Sequence, residues 1–394
     1  MPTTNTTITN LYCPKCGSKY EADKAINLCT CGAPLLVDYD YEKAAKLLSK
    51  ESLCDRESTM WRYHELLPVF DTDNIVSLGE GGTQCLDSRH IGPSLGFKHL
   101  YFKDETTNPT GSFKARGLGM AVSKAKELGI TKLIIPTAGN AGSALSAYSA
   151  RAGLTARVIM PADSPTPFVV DCKACGAIVD MVEGTIKDCG EKVAELVKSE
   201  GWFSVATLKE PYRIEGKKTM GYELAEFFGF ELPDVVIYPT GGGTGLIGMW
   251  KAFDEMQKMG WIGSSRPRMI SVQSEGCAPM VKAFDEGADH AETWPDPHTI
   301  ASGLRVPGAI GDFLILQAVR ESGGSAVAVS EDEIIRCTRE LATKEGIFPA
   351  PEDGAALAAL YALRDARQVE LDERIVVFLT GSGYKYLDTL EKII

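Results

Sequence analysis

Phe102–Gly117 reads FKDETTNPTGSFKARG, and the rest of the chain is best read outward from it. Asn108-Pro109-Thr110-Gly111 is a turn signal. Ser112 stands where an N-cap belongs, and a helical pattern follows through Ala121 and Lys126. Lys114 therefore falls in the first turn of a helix, beside a tight loop. Most lysines are solvated point charges. This one has Phe113 before it, Ala115 after it and Gly111 and Gly117 on either side, which makes a poor solvated face and a fair floor for a flat ligand. The positive end of a helix disfavours a cation, and burial lowers a lysine pKa. A lysine so placed is the kind that forms a Schiff base with a carbonyl.

Apolar strands surround this helix. LYFKDE from Leu100 precedes it. KLIIPT (Lys132 to Thr137), ARVIMP from Ala156, AIVDMV from Ala177 and WFSVA from Trp202 follow. Between them the pattern predicts helices over Ser143–Ala152, around Phe168–Cys175 and over Asp188–Ser199. Pro211–Thr219, PYRIEGKKT, reads as a charged connection, with a helix from Met220 to Phe228. Then come strand Asp234–Thr240, a helix from Leu246, strand RMISVQS from Arg268 and a loop-rich stretch over 301–312. Helix Asp312–Glu321, strand AVAV, helices Glu331–Glu345 and Gly354–Ala366 and strand Arg374–Thr380 complete the series. Fully apolar strands alternating with helices predict an α/β protein with open parallel sheets covered on both faces.

The chain has 394 residues, enough for two or three domains, and a net charge of −12 with no basic block. That argues against nucleic acid or an anionic membrane as partner. The polar start MPTTNTTITN does not read as a signal peptide, and no apolar run is long enough to span a bilayer. Eleven cysteines, an odd number and mostly single, point to a reducing compartment, the cytoplasm. Four of them stand apart. Cys13, Cys16, Cys29 and Cys31 form a CxxC…CxC pair with 12 residues between the halves. Such turns can close a structural zinc site, although zinc ribbons usually have two residues within each pair. The other reading is a ribbon held by its hairpin and by packing of Tyr12, Tyr20 and Leu35. Cys172 and Cys175 have no partner cysteines nearby and read as the small buried face of a helix.

Three loops directly follow apolar strands, where ligands sit in open parallel sheets. Thr137–Gly142, TAGNAG, carries Asn140 as its only amide. Gly241-Gly242-Gly243-Thr244-Gly245 offers a nest of backbone N–H groups at a helix N-terminus, a phosphate cradle. Thr380–Gly383, TGSG, offers the hydroxyls of Thr380 and Ser382. The cradle also fits G-x-G-x-x-G through Gly243, Gly245 and Gly248, with Glu275 placed as a ribose-binding acid, so a dinucleotide site competes on that stretch alone. It leaves Lys114 and TGSG without a task. Lysine, phosphate cradle, amide loop and terminal hydroxyl loop together fit pyridoxal 5′-phosphate.

The order NPTGSFK, GN loop, GGGTG, TGSG resembles the second fold type of pyridoxal-phosphate enzymes, the tryptophan synthase β-like fold. With the N-terminal cysteine ribbon and NPTGSFKxRG it resembles threonine synthases, from about Leu11 to Leu387. The resemblance implies Lys114 as the Schiff-base lysine, Phe113 beside the ring and Asn140 on the ring hydroxylate. It puts Gly241, Gly242, Gly243, Thr244 and Gly245 on the phosphate, and Thr380 facing the pyridine nitrogen. It puts Arg213 on a substrate phosphate, with Lys209 adding charge. Departures are Ala115 for the usual aspartate, Ala138 and Ala141 in the amide loop, and Thr207 and Leu208 where the family has Asn and Ser.

The reaction implied is conversion of O-phospho-L-homoserine and water to L-threonine and phosphate, with Lys114 as general base. The resemblance also implies a homodimer. Rival expectations are a serine or threonine ammonia-lyase, a phosphoserine β-replacement enzyme of the cysteate synthase kind, a nucleotide-binding regulator and, weakest, a zinc-ribbon adaptor. The expected organisation is a cysteine unit over 1–38, a large cofactor domain from 39–114 and 207–394, and a small mobile α/β domain over 115–206.

Overall fold

Thirteen strands in three sheets carry the chain, and the computed structural model describes residues 6–393. In chain order they are β1 (Ile8–Tyr12), β2 (Lys19–Tyr20), β3 (Leu36–Tyr39), β4 (Cys85–Asp87), β5 (His99–Asp104), β6 (Lys132–Pro136) and β7 (Thr155–Pro161). Then come β8 (Ile178–Val182), β9 (Phe203–Ser204), β10 (Val235–Pro239), β11 (Arg268–Ser274), β12 (Ser325–Val329) and β13 (Arg374–Leu379). The largest sheet has the order β12-β11-β10-β13-β5-β4, and the second the order β8-β7-β6-β9. All pairings in these two sheets are parallel except β4 with β5 at an edge. Strands β10 and β13, free of charge but for Arg374, are buried along nearly their whole length, as strands covered on both faces must be. Parallel pairing aligns the strand ends. Thr240, Thr380 and the loop after Asp104 therefore leave one edge of the large sheet together.

The third sheet, β2-β1-β3, is antiparallel and belongs to the cysteine unit. Leu11, Leu35 and Val37 are buried in the same apolar core as Tyr212, Met249 and Phe253. Tyr39 donates to Glu215 Oε2 at 2.7 Å. The unit is thus docked on the large sheet's helices, and Tyr12 and Tyr20 pack at its margin as expected.

Two local readings need correction. Ser112 is not an N-cap. It is extended (φ −167°), bridges Gly381, and its buried hydroxyl has no partner. Phe113 occupies the cap position of the helix Lys114–Glu127 instead. Nor is Pro211–Thr219 a connection. Tyr212–Phe227 is one continuous helix in which every residue from Tyr212 to Ala225 is buried. Its charges suggested an exposed segment, but most are cancelled inside the protein. Lys218 pairs with Glu215 at 2.6 Å and with Glu255 at 2.9 Å, and Glu223 meets Lys103 and Arg116. The helix approaches the Lys114 helix so closely that a Cβ on Gly216 would lie 2.1 Å from the Arg116 carbonyl oxygen.

The Lys114–Glu127 helix also turns Ala115, Leu118, Val122 and Ala125 into the core of the four-stranded sheet, with Leu133, Ile135 and Val158. It therefore lies between the two parallel sheets. Cys172 is buried in that same core, while Cys175 is half-buried at the helix end.

Candidate active site

The position of Lys114 is set by stitching between the two loops that flank it. Phe113 N–H donates to Thr380 O at 3.1 Å, and Ser382 N–H donates to Gly111 O at 2.8 Å. The NPTGSFK turn is thereby tied to the end of β13. Lys114 Nζ stands 4.0 Å over the Phe113 ring. Desolvation pulls its pKa down to about 7; the Arg213 charge adds to this and Glu352 opposes it. A lysine near neutrality is a nucleophile and base at physiological pH.

The cradle has the form its sequence suggested. Gly243 takes a left-handed conformation (φ +73°) and caps the helix Thr244–Lys258. Among the described residues, Gly241, Gly242 and Gly243 spend their amide protons on no protein acceptor. There is no room for side chains here: a Cβ on Gly241 would lie 2.2 Å from Gly303 O, and one on Gly242 2.7 Å from Thr207 Cγ2. Free amides at a helix N-terminus are an anion site. The G-x-G-x-x-G coincidence has a packing cause. Gly248 faces the Tyr212–Phe227 helix, where a Cβ would lie 3.0 Å from Lys218 N, and Glu275 is exposed.

Asn140 begins the helix Asn140–Ala152 rather than sitting in a loop before it. One amide proton goes to Tyr386 Oη at 3.3 Å, and its buried Oδ1 has no partner. Tyr386 in turn donates to Glu352 Oε1 at 2.8 Å, an oxygen that also accepts from Gly303 N at 2.6 Å. Thr380 donates through its hydroxyl to Asp353 Oδ1 at 3.0 Å and through its amide at 2.5 Å. Burial pushes the Asp353 carboxyl well above the usual range. Lysine, free amides and an amide side chain with spare polar capacity are the donor set that pyridoxal phosphate needs, so the residues present fit that cofactor.

Arg213 is buried, and Nη1 donates to Val205 O at 2.7 Å and to Thr207 Oγ1 at 3.3 Å while Nε has no acceptor. Lys209 is exposed, and its carbonyl accepts from Asn27. The structure brings Lys217 to the cradle instead, with Nζ donating to Thr244 Oγ1 at 2.7 Å. Lys217 went unread because PYRIEGKKT looked exposed; its i, i+4 spacing from Arg213 was the available signal. Glu352, Asp353 and Tyr386 were also missed. The Pro351-Glu352-Asp353 start of the helix Pro351–Asp365 could have revealed the first two.

In the cysteine unit, the Sγ atoms of Cys13, Cys16, Cys29 and Cys31 all lie within 4.8 Å of one another. Among the described residues no helix is long and apolar enough to cross a membrane.

A family model described as pyridoxal-phosphate dependent enzyme matches residues 76–381. Threonine synthase of Methanocaldococcus jannaschii is 37% identical over 374 residues, which span 95% of this chain and 92% of that protein. Threonine synthase of Methanosarcina acetivorans is 35% identical over 374 residues, 94% and 91% respectively. Among solved structures, maize serine racemase matches with a TM-score of 0.68 at 21% identity, over 79% of this chain and 90% of that one. The processed form of threonine deaminase isoform 2 from Solanum lycopersicum matches with a TM-score of 0.67 at 20% identity, over 79% and 82%. These solved structures share the α/β architecture, the second fold type expected from the motif order. The chain belongs to the pyridoxal-phosphate dependent enzymes and, within them, to the threonine synthase family.

Proposed function

We propose that this lyase converts O-phospho-L-homoserine and water to L-threonine and phosphate. The observation that carries the reading is the buried, unpaired Arg213 guanidinium beside Lys114, in a chain of the threonine synthase family. Bound pyridoxal phosphate supplies an electron sink for negative charge developing at the substrate's carbon atoms. Lys114 holds the cofactor and then takes and returns protons at Cα and Cβ. Gly241 to Gly245 hold the cofactor phosphate, Asn140 and Thr380 orient the ring, and Phe113 lies beside it. Arg213 holds the substrate phosphate as it leaves, a task suited to a directional guanidinium fork. Lys209 stays at the rim and contributes only long-range charge.

Arg213→Ala is expected to weaken use of O-phosphohomoserine by about 2–4 kcal/mol in kcat/KM, the scale of truncating one partner of a desolvated charge pair. Retention of bound cofactor should not change. Unaltered kinetics on O-phosphohomoserine would remove Arg213 from the site. Wild-type enzyme that ignores this compound and deaminates serine or threonine would turn the assignment to an ammonia-lyase.

We further assign residues 115–206 to a small domain that closes on substrate, against a large domain of 39–114 and 207–394. Closure excludes water while charge develops on carbon. The helix Lys114–Glu127 packs on both halves and serves as the pivot. Away from it, polar contacts across the boundary suit such a motion, because water can replace them. They include Lys385 Nζ–Asp171 Oδ2 at 2.5 Å and Arg305–Asp163 at 3.4 Å. Structures with and without a substrate analogue should differ by a rotation of this unit; superposition as one rigid body would refute it.

The cysteine unit, 1–38, is assigned one structural zinc. Tetrahedral Zn–S bonds of ~2.3 Å set sulfurs about 3.8 Å apart, and Cys13–Cys31 and Cys16–Cys29 stand at 3.6 and 3.4 Å. Elemental analysis of protein purified without chelator should give one zinc per chain. Its absence would leave a ribbon held by packing alone. All eleven cysteines are free, which suits the cytoplasm; a homodimer follows from the family resemblance.

A further inference from the structure

Among the described residues, the buried cations Lys103, Arg116, Lys124 and Lys218 each have a carboxylate within ion-pair distance. Arg213 and Lys217 are buried to 1% and 0% exposure and have none. The one nearby acid on their side of the helix, Glu210, spends both oxygens on the amides of Tyr212 and Arg213. Two unpaired cations one helical turn apart are costly to desolvate. They are tolerable where an anion completes the site.

Their contacts lead to one place. Lys217 Nζ donates to Thr244 Oγ1, inside the phosphate cradle. Arg213 reaches Thr207 Oγ1, and Thr207 packs against Gly242 of the same cradle. Lys217 also lies 5.2 Å over the Phe113 ring, next to Lys114. The face shared by Arg213 and Lys217 is therefore continuous with the Gly241–Gly245 loop. Burial pushes the Lys217 ammonium down, with the Arg213 charge adding to this and Glu210 opposing it, so an arriving dianion offsets the repulsion between Lys217 and Arg213.

We propose that Lys217 is the bridging cation of a two-phosphate pocket, joining the cofactor cradle to Arg213 so that the cofactor phosphate and the phosphate of an O-phosphorylated amino acid sit on one cationic face. The second half of this assignment rests on the reading of Arg213 given above. Lys217 thereby selects substrates whose leaving group is a dianion over those that lose hydroxide.

Inorganic phosphate is the probe. Its binding to the cofactor-loaded enzyme is measured by calorimetry, and cofactor release by dialysis. Wild type should bind phosphate. Lys217→Gln should bind it at least about tenfold more weakly, the scale of one lost charge-assisted hydrogen bond, and should release cofactor faster. Lys217→Arg should stay within about threefold of wild type. Thr244→Val, which keeps every charge but frees the lysine, should fall between the two. Equal phosphate affinity in wild type and Lys217→Gln overturns the proposal, as does a wild-type holoenzyme that binds no phosphate. Loss of cofactor retention alone in Lys217→Gln also overturns it, because the lysine then serves one phosphate only. The substrate reading fails separately. An enzyme that binds phosphate through Lys217 but never turns over O-phosphohomoserine keeps the pocket and loses the named substrate.

Discussion

Lys114→Ala is expected to lower turnover by ~10³-fold or more, since in the role proposed for it a covalent anchor and the general base are lost together. Among the described residues, two neighbours decide what activity could remain. Lys217 is engaged with Thr244. Glu352, beside Lys114, has Oε1 held by Gly303 N–H and the Tyr386 hydroxyl and Oε2 without a partner, so it can take a proton but cannot form the Schiff base. The cradle, Asn140 and Thr380 are untouched by the change, so the variant should still bind cofactor, but reversibly and without borohydride trapping. The wild-type lysine makes a second expectation. Its pKa of about 7 leaves the amine mostly neutral above that pH. Cofactor uptake by cofactor-free protein should therefore rise through pH 7 and then level off. An ordinary lysine would keep the rate climbing toward pH ~10.4. A continued climb to pH ~10, or substantial turnover in Lys114→Ala, would remove Lys114 from its role.

The parts of this site legible in the sequence share one physical property: they sit at the ends of apolar strands. An all-apolar strand followed by glycine announces both a parallel sheet and a backbone left free to bind, which is how Gly241–Gly245 and Thr380–Gly383 could be placed. Lys114 was legible because its neighbours cannot solvate it. What stayed hidden was set by helices packing on helices. PYRIEGKKT carries three cations and one acid, and no local rule says that Glu255 lies where it neutralises Lys218. Burial there is a tertiary result, and it is why Lys217 was not read as part of the site. Ser112 failed for a similar reason. Its backbone bridges Gly381, far along the chain, and that pairing overrides the local preference for a cap.

Arg116 carries the other large expected effect, and it is on stability. It was passed over as the x-R-G tail of the lysine motif, yet it is fully buried. Its Nε and Nη2 form a fork on Glu105 at 2.6 and 2.7 Å, and Nη1 and Nη2 form another on Glu223 at 2.5 and 2.7 Å. Lys103 adds a second cation on Glu223 at 2.7 Å. Two cations thus balance two carboxylates beneath the first turn of the Lys114 helix. Arg116→Met fills much of the volume but leaves two buried acids facing one lysine. The expected cost is about 3–5 kcal/mol, the scale for breaking a buried pair from one side, read as a lower urea midpoint. Arg116→Lys keeps the charge, loses the forks and should fall between. The pH dependence gives the sign. Arg116 and Lys103 hold Glu223 well below the usual carboxylate range against the opposing pull of burial, so its stabilisation is present above the unfolded pKa and lost as pH falls through the folded one. Without Arg116 that depressed pKa is lost. The gap between wild type and Arg116→Met should be widest near neutrality and narrow below pH ~4.3, where the carboxylates of the unfolded chain take up protons. A gap that stays constant down to pH ~3 would mean the arginine acts by packing, not by charge.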